Sequence, residues 1–147
     1  MKHRSNEGLA ELVGQWWAET AKPQFDALQI DWVIPVPLHW LRRLRRGYNQ
    51  SGSLAYGLTT RLRLPLQRGW LKRYRNTPSQ KTLSATARKD NVRGAFQVRP
   101  TARLRDRSVL LVDDVMTTGA TAHEAARTLR AAGAKRVVVA ALARAHG

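Results

Sequence analysis

The 147-residue sequence contains no cysteine. That absence excludes a disulfide framework, a thiol nucleophile and a thiolate zinc site. Histidine is scarce: His3, His39, His123 and His146 stand far apart, and no two are spaced four residues apart as a helical metal-binding pair would be. No stretch approaches the roughly 18 uninterrupted apolar residues of a membrane span. The opening "MKHRSNEGLAELVGQWW" is too polar for the apolar core of a signal peptide, so a cytoplasmic protein without a membrane span is expected. Neither GxxxxGK[ST] nor GxGxxG occurs, which removes the P-loop and the dinucleotide-binding turn. Internal repeats and low-complexity linkers are also missing. A chain of this length buries about 68–70% of its surface on folding, enough for one domain with a real core.

Acidic residues are few, 10 against 26 Lys and Arg, for a net charge of +16. Residues 42–107 hold 18 basic side chains and two acids, Asp90 and Asp106, while the rest of the chain carries eight of each sign. The whole excess therefore lies in the middle. A solvated basic face would serve solubility alone, but arginine outnumbers lysine there by 15 to 3. The planar guanidinium fork matches phosphate better than a point charge does, which favours an anionic partner, either a phosphorylated metabolite or nucleic acid.

Residues 8–28 have the apolar spacing of an amphipathic helix broken near Pro23, with Trp16 and Trp17 packed against the body. "DWVIPVPL" predicts a buried strand that ends in a constrained loop. Asn49 is placed to cap a helix through "QSGSLAYGLTTRL", and "GWLKRYR" reads as a strand. "NTPSQKTLSATARKDNVRGAF" reads as a mobile loop followed by a short helix. "SVLLVDD" predicts a buried strand, "ATAHEAARTLRAAG" a helix closed by Gly133, and "KRVVVAALA" a last strand. The C-terminal third is thus a βαβ unit, the building block of parallel sheets covered by helices.

"VLLVDDVMTTGAT" carries the chemistry. Ligands of open α/β sheets bind beyond the carboxyl ends of the strands, which is where Asp113 and Asp114 fall. The turn of Thr117, Thr118, Gly119, Ala120 and Thr121 offers backbone N–H groups, a helix dipole and hydroxyls to a phosphate. Carboxylates repel a phosphate, so they must face another part of the same ligand, such as sugar hydroxyls or a magnesium ion held with it. A phosphorylated sugar satisfies both halves. Mere helix capping needs one such residue and leaves the others unexplained.

Residues 109–121 resemble the signature of type I phosphoribosyltransferases that binds 5-phosphoribosyl 1-pyrophosphate (PRPP): four hydrophobics, two acids and a threonine/glycine phosphate loop. "PVPLHWLRRLRRGYNQ" and "RNTPSQKTLSATARKDNVRGAF" extend the likeness, over about residues 31–143, to the ComF/GntX group of competence- and gluconate-associated proteins. The resemblance implies a type I phosphoribosyltransferase fold, a mostly parallel sheet flanked by helices with a flexible hood loop. Residues 1–30 would form an N-terminal helical segment and 31–147 the phosphoribosyltransferase-like domain, together one domain.

By the same resemblance Asp113 and Asp114 are the catalytic pair that holds the ribose 2′- and 3′-hydroxyls, meeting Mg2+ only indirectly through Mg-PRPP. Thr117, Thr118, Gly119, Ala120 and Thr121 would bind the 5′-phosphate, and Pro37, Leu38 and Arg42 the pyrophosphate. Residues 77–88 match the hood, with Arg75 and Arg88 as candidates to clamp the leaving group. The implied reaction displaces pyrophosphate at ribose C1 by a nitrogenous acceptor that no residue here identifies. The alternative is a non-catalytic PRPP-fold protein of DNA uptake or recombination, working with DNA-processing proteins. Its single-stranded DNA would lie on Arg42, Arg43, Arg45 and Arg46, with Trp40, Tyr48, Trp70 and Tyr74 as stacking platforms.

Overall fold

A computed structural model of the chain describes residues 2–75 and 84–145. Its centre is β4 (Ser108–Met116), which runs parallel to β1 (Trp32–Pro35) on one side and to β5 (Arg136–Arg144) on the other. The register pairs Val33 with Leu110 and Leu110 with Val138. Successive side chains of a strand point to opposite faces, so alternation assigns each residue to a layer. Ile34, Val109 and Leu111 pack on one face with Leu71, Phe96, Ala125 and Leu129. Val33, Leu110 and Val112 pack on the other with Ala18, Phe25, Leu54 and Leu58. Both faces of β4 are therefore dry, which is why its sequence is a continuous apolar run rather than an alternating one.

The second face is covered by α1 (Lys2–Thr20), α2 (Lys22–Ala27) and α4 (Gln50–Leu62). The first is covered by α6 (Ala120–Ala131) and by a two-stranded antiparallel sheet of β2 (Leu71–Arg73) and β3 (Phe96–Val98). α1 and α4 touch backbone to backbone: a Cβ at Gly14 would run into the Leu54 carbonyl, and one at Gly57 into the Glu11 carbonyl. This contact turns Gly14 inward and leaves Leu9, Leu12 and Trp16 on the opposite, exposed side. The expectation that Trp16 packs against the body is therefore corrected, since it is 60% exposed; Trp17 does pack, edge-on to Phe25 at 5.4 Å.

Several boundaries differ from the sequence reading. The first helix begins at Lys2 rather than Gly8 and breaks at Ala21, with Pro23 in the first turn of α2 where its missing N–H is harmless. The Asn49 side chain does not cap α4; its Nδ2 donates to the Val36 carbonyl at 3.2 Å and ties the helix start to the end of β1. β3 was not foreseen, because three residues give no periodic signal. Of the hood, residues 77–83 lie outside the described residues; residues 84–88 are the start of α5 (Ala85–Val92), whose N-cap Ser84 accepts a hydrogen bond from the Ala87 N–H at 3.2 Å. Glu124, buried on α6, accepts from the Gly94 N–H at 3.0 Å and from Arg127, joining α6 to the turn between α5 and β3. Arg127, with help from that N–H, holds the Glu124 carboxyl below its usual range. Gly133, at φ 109°, follows α6 as expected of a terminating glycine. No helix among the described residues is long and apolar enough to cross a membrane.

Candidate active site

Beyond the carboxyl ends of β1 and β4 lies a cavity of about 230 Å³. Its lining brings together Asp113 and Asp114, the turn residues Thr117, Gly119, Ala120 and Thr121, and Pro37, Leu38, Arg46, Asn49, Gln50, Ser51 and Arg73. Thr118 is absent from that lining and borders a second pocket with Lys89 and His123, and its hydroxyl accepts from the Ala120 N–H at 3.4 Å. Gly119 starts α6 at φ 80°, a left-handed conformation that glycine adopts without strain.

The two acids are not equivalent. Asp113 is 8% exposed, whereas Asp114 is half-buried. Ser51 Oγ donates to Asp113 Oδ1 at 3.1 Å, lies 3.5 Å from Asp114 Oδ1, and accepts from the Asp114 N–H at 3.2 Å. Burial, then the hydrogen bond and charge of Asp114, push the Asp113 carboxyl up to about 7. A carboxyl poised there exchanges its proton near neutrality and suits hydroxyl recognition, in which donors and acceptors trade roles. No group of three or more His, Cys, Asp or Glu able to hold a metal exists among the described residues. Two carboxylates, one sharing a proton, fit the water shell of a magnesium ion carried by a ligand rather than a protein-built metal site.

The arginines fall differently from the sequence expectation. Arg46 lines the cavity, its Nη1 donating to Gln50 Oε1 at 2.9 Å. Arg73, which the sequence reading overlooked, lines it too, almost fully buried with its guanidinium 5.5 Å over the Phe96 ring. Arg75 is exposed and donates to the Arg93 carbonyl at 2.5 Å; Arg88 sits half-buried on α5; neither belongs to the lining. Arg43 and Arg45 are exposed on α3 (Trp40–Arg46), and of Trp40 and Arg42 only the backbone is described. α3 is held by His39, whose Nδ1 accepts from the Leu41 N–H at 3.3 Å and whose Nε2 stands 3.0 Å from the Tyr74 carbonyl. Trp70 packs edge-on against Trp32 at 4.9 Å beside the core, so it is a core aromatic, whereas Tyr74 is 55% exposed and Tyr48 is half-buried.

Arg73 had a signal in the sequence, whereas Ser51 had none. Arg73 is two residues from Leu71 on a strand, hence on the inward face. Ser51 sits in the first turn of a helix that starts beside the strand carrying the loop of Pro37 and Leu38.

Residues 44–147 match the phosphoribosyl transferase domain family. Competence protein F of Haemophilus influenzae is 41% identical over 114 residues, 77% of this chain and 50% of that protein. DNA utilization protein YhgH of Escherichia coli K12 is 39% identical over 114 residues, 78% of this chain and 49% of that one. The chain thus spans about half the length of the curated relatives it matches. Among solved structures, the allosteric regulatory enzyme of purine biosynthesis superposes with a TM-score of 0.62 at 23% identity, covering 92% of this chain and 25% of that one, a likeness of fold. Its parallel sheet flanked by helices is the type I phosphoribosyltransferase fold, and the chain belongs to the phosphoribosyltransferase family, in its competence protein F branch.

Proposed function

We propose that the cavity binds Mg-PRPP and transfers its phosphoribosyl group to a nitrogenous acceptor, releasing pyrophosphate. The observation that carries this reading is the meeting, in one cavity, of a carboxylate pair, a threonine/glycine turn that starts a helix, and two arginines. Asp113 and Asp114 take the ribose 2′- and 3′-hydroxyls. Thr117, Gly119, Ala120 and Thr121, with Thr118 shaping the turn, take the 5′-phosphate. Pro37 and Leu38 border the pyrophosphate, whose charge Arg46 and Arg73 meet, in place of Arg75 and Arg88.

In the reaction the bond from C1 to the pyrophosphate oxygen breaks as a bond from C1 to nitrogen forms, through a sugar carrying positive charge. The protein's share is alignment and electrostatics: the carboxylates lie on the sugar side and the guanidiniums on the leaving-group side. Magnesium, when bound with PRPP, neutralises the diphosphate; Asp113 and Asp114 would meet it through water. Residues 1–30 and 31–147 together form one domain in this reading, which the close approach of α1 to α4 at Gly14 and Gly57 supports. A cytoplasmic setting, where phosphoribosyl chemistry has its substrates, goes with this reading. Incubation with Mg-PRPP and a panel of nitrogenous bases, with pyrophosphate release measured, tests it; no release with any base removes the transferase reading.

A second reading has its own support in the competence and DNA utilization relatives and in the exposed Arg43 and Arg45 of α3. In it the protein binds Mg-PRPP without turnover and handles single-stranded DNA, alone or with DNA-processing proteins. Calorimetric PRPP binding with no pyrophosphate release, together with oligonucleotide binding, is the expected signature.

A further inference from the structure

The parallel strands give the molecule two ends. Their carboxyl ends open on the cavity, and their amino ends meet a surface of a different kind. There the segment leading into β4 lies antiparallel to the segment leading into β5: Arg105 bridges Ala134, the Asp106 N–H donates to the Gly133 carbonyl at 3.2 Å, and the Lys135 N–H donates to the Arg107 carbonyl at 2.9 Å. Leu104 is buried and anchors the first segment, while Arg103 and Arg105 on either side of it are exposed, the Arg105 side chain 94% so. Lys135 and Arg136 are exposed as well. β3 ends at this side, because the N–H of Arg99 bonds the carbonyl of Trp70, which packs on Trp32 at the start of β1.

Arg99, Arg103, Arg105, Arg107, Lys135 and Arg136 thus share one end with the acids Asp31 and Asp106. Asp31 is already engaged by Arg107 at 3.6 Å and by the Ser108 N–H at 2.7 Å. Asp106 stands 4.0 Å from Arg105 Nε in open solvent, where screening leaves such a pair little weight. Arg107 is paired with Asp31 and Arg136 donates to the Leu28 carbonyl, while the like charges of Arg103, Arg105 and Lys135 on the adjoining segments repel one another.

We infer that the amino-terminal end of the sheet is a second polyanion surface, which takes the phosphate backbone of single-stranded nucleic acid independently of the cavity at the opposite end. This rests on the nucleic-acid reading above and moves its footprint away from α3. Five of the six cations are arginines, the better phosphate ligand. They are spread over three exposed segments, which suits an extended backbone rather than an enclosed small anion. Among the described residues the large exposed apolar side chains, such as Leu9, Leu12, Trp16 and Leu44, lie on other segments, which favours a polyanion over a bilayer at this end. Arg46 is committed to the cavity through Gln50, whereas the far end is free of that competition.

The test is fluorescence anisotropy of a labelled oligothymidylate, titrated with the protein over a range of salt. In Arg103→Gln/Arg105→Gln/Lys135→Gln, all exposed positions, the log–log salt slope is expected to fall by about 2, from about 0.7 per neutralised phosphate. Mg-PRPP affinity is expected to stay unchanged in that variant, and saturating Mg-PRPP to leave the wild-type oligonucleotide curve in place. A slope that moves only in Arg43→Gln/Arg45→Gln, or displacement of the oligonucleotide by PRPP, overturns the placement while keeping the nucleic-acid reading. Absence of salt-dependent binding by the wild type overturns both. Sedimentation with phosphatidylserine vesicles through the same three residues, without oligonucleotide binding, would make this end a membrane surface instead.

Discussion

Ser51 Oγ stands 3.1 Å from Asp113 Oδ1 and accepts a hydrogen bond from the Asp114 N–H, so one hydroxyl on α4 fixes both acids at the end of β4 across 62 residues of chain. The Ser51 proton serves one carboxylate at a time, and the shorter contact gives it to Asp113 rather than to Asp114 at 3.5 Å. Ser51→Ala is expected to fold and to bind Mg-PRPP on the order of tenfold more weakly, about the 1.5 kcal/mol of a hydrogen bond to a charged group. Calorimetry on the folded variant decides it; an unchanged affinity would show that the acids hold themselves.

The raised Asp113 carboxyl also shapes stability. Its folded value of about 7 lies above the 3.8 of an ordinary aspartate, because burial first, and Asp114 second, disfavour its charge. The folded state therefore holds the proton more tightly than the unfolded chain does. Stability is expected to fall as pH rises from about 4 to about 7, with the full penalty present above that window. Asp113→Asn carries no such penalty and should gain on the wild type between pH 5 and pH 8. Parallel denaturation midpoints for the two proteins across that range would refute the assignment.

What the sequence made legible follows from how locally each feature is encoded. β4 announces itself because a strand covered on both faces must be apolar throughout, and α6 because an alanine-rich helix between that strand and Gly133 has no competing pattern. The carboxylate pair and phosphate turn follow from their place at the end of β4. The partners of those acids were illegible, since Ser51 reaches them only after α4 packs on the sheet. The resemblance points to Arg75 and Arg88, but strand alternation turns Arg73 inward with Leu71 and leaves Arg75 beyond the strand end. Trp16 misled because apolarity alone does not say which side of α1 faces in; the glycines at 14 and 57 decide that.

Gly57 is expected to be the costlier of two neighbouring helix glycines to replace. An added methyl in mid-helix gains about 0.5–1 kcal/mol from backbone entropy. At Gly57 that methyl would strike the Glu11 carbonyl, a backbone atom of a packed helix, and overpacking of this kind costs about 1–3 kcal/mol. The steric term wins, so Gly57→Ala should lower the denaturation midpoint. Gly8→Ala, with nothing within 4 Å of the new methyl, should hold or raise it. Equal shifts in the two variants would mean that α1 and α4 are less closely apposed.

Arg73 and Arg75 offer the sharpest contrast for the pyrophosphate side. Arg73 is almost fully buried at the cavity wall and stacked over Phe96, while Arg75 is exposed with its guanidinium on the Arg93 carbonyl. Lysine at either position keeps the charge and loses the planar fork, so the comparison isolates geometry from charge. Arg73→Lys is expected to weaken Mg-PRPP binding on the order of tenfold, a loss of about 1.4 kcal/mol. Arg75→Lys should stay within about twofold, as expected for an exposed contact of small net worth. Ribose 5-phosphate, which lacks the diphosphate, supplies the control: Arg73→Lys should bind it as the wild type does, because the 5′-phosphate turn and the carboxylates are untouched. Calorimetry with both ligands separates the outcomes. Equal losses for PRPP and ribose 5-phosphate would mean that Arg73 supports the cavity as a whole, and a larger loss in Arg75→Lys would return the clamp to the hood side of the chain.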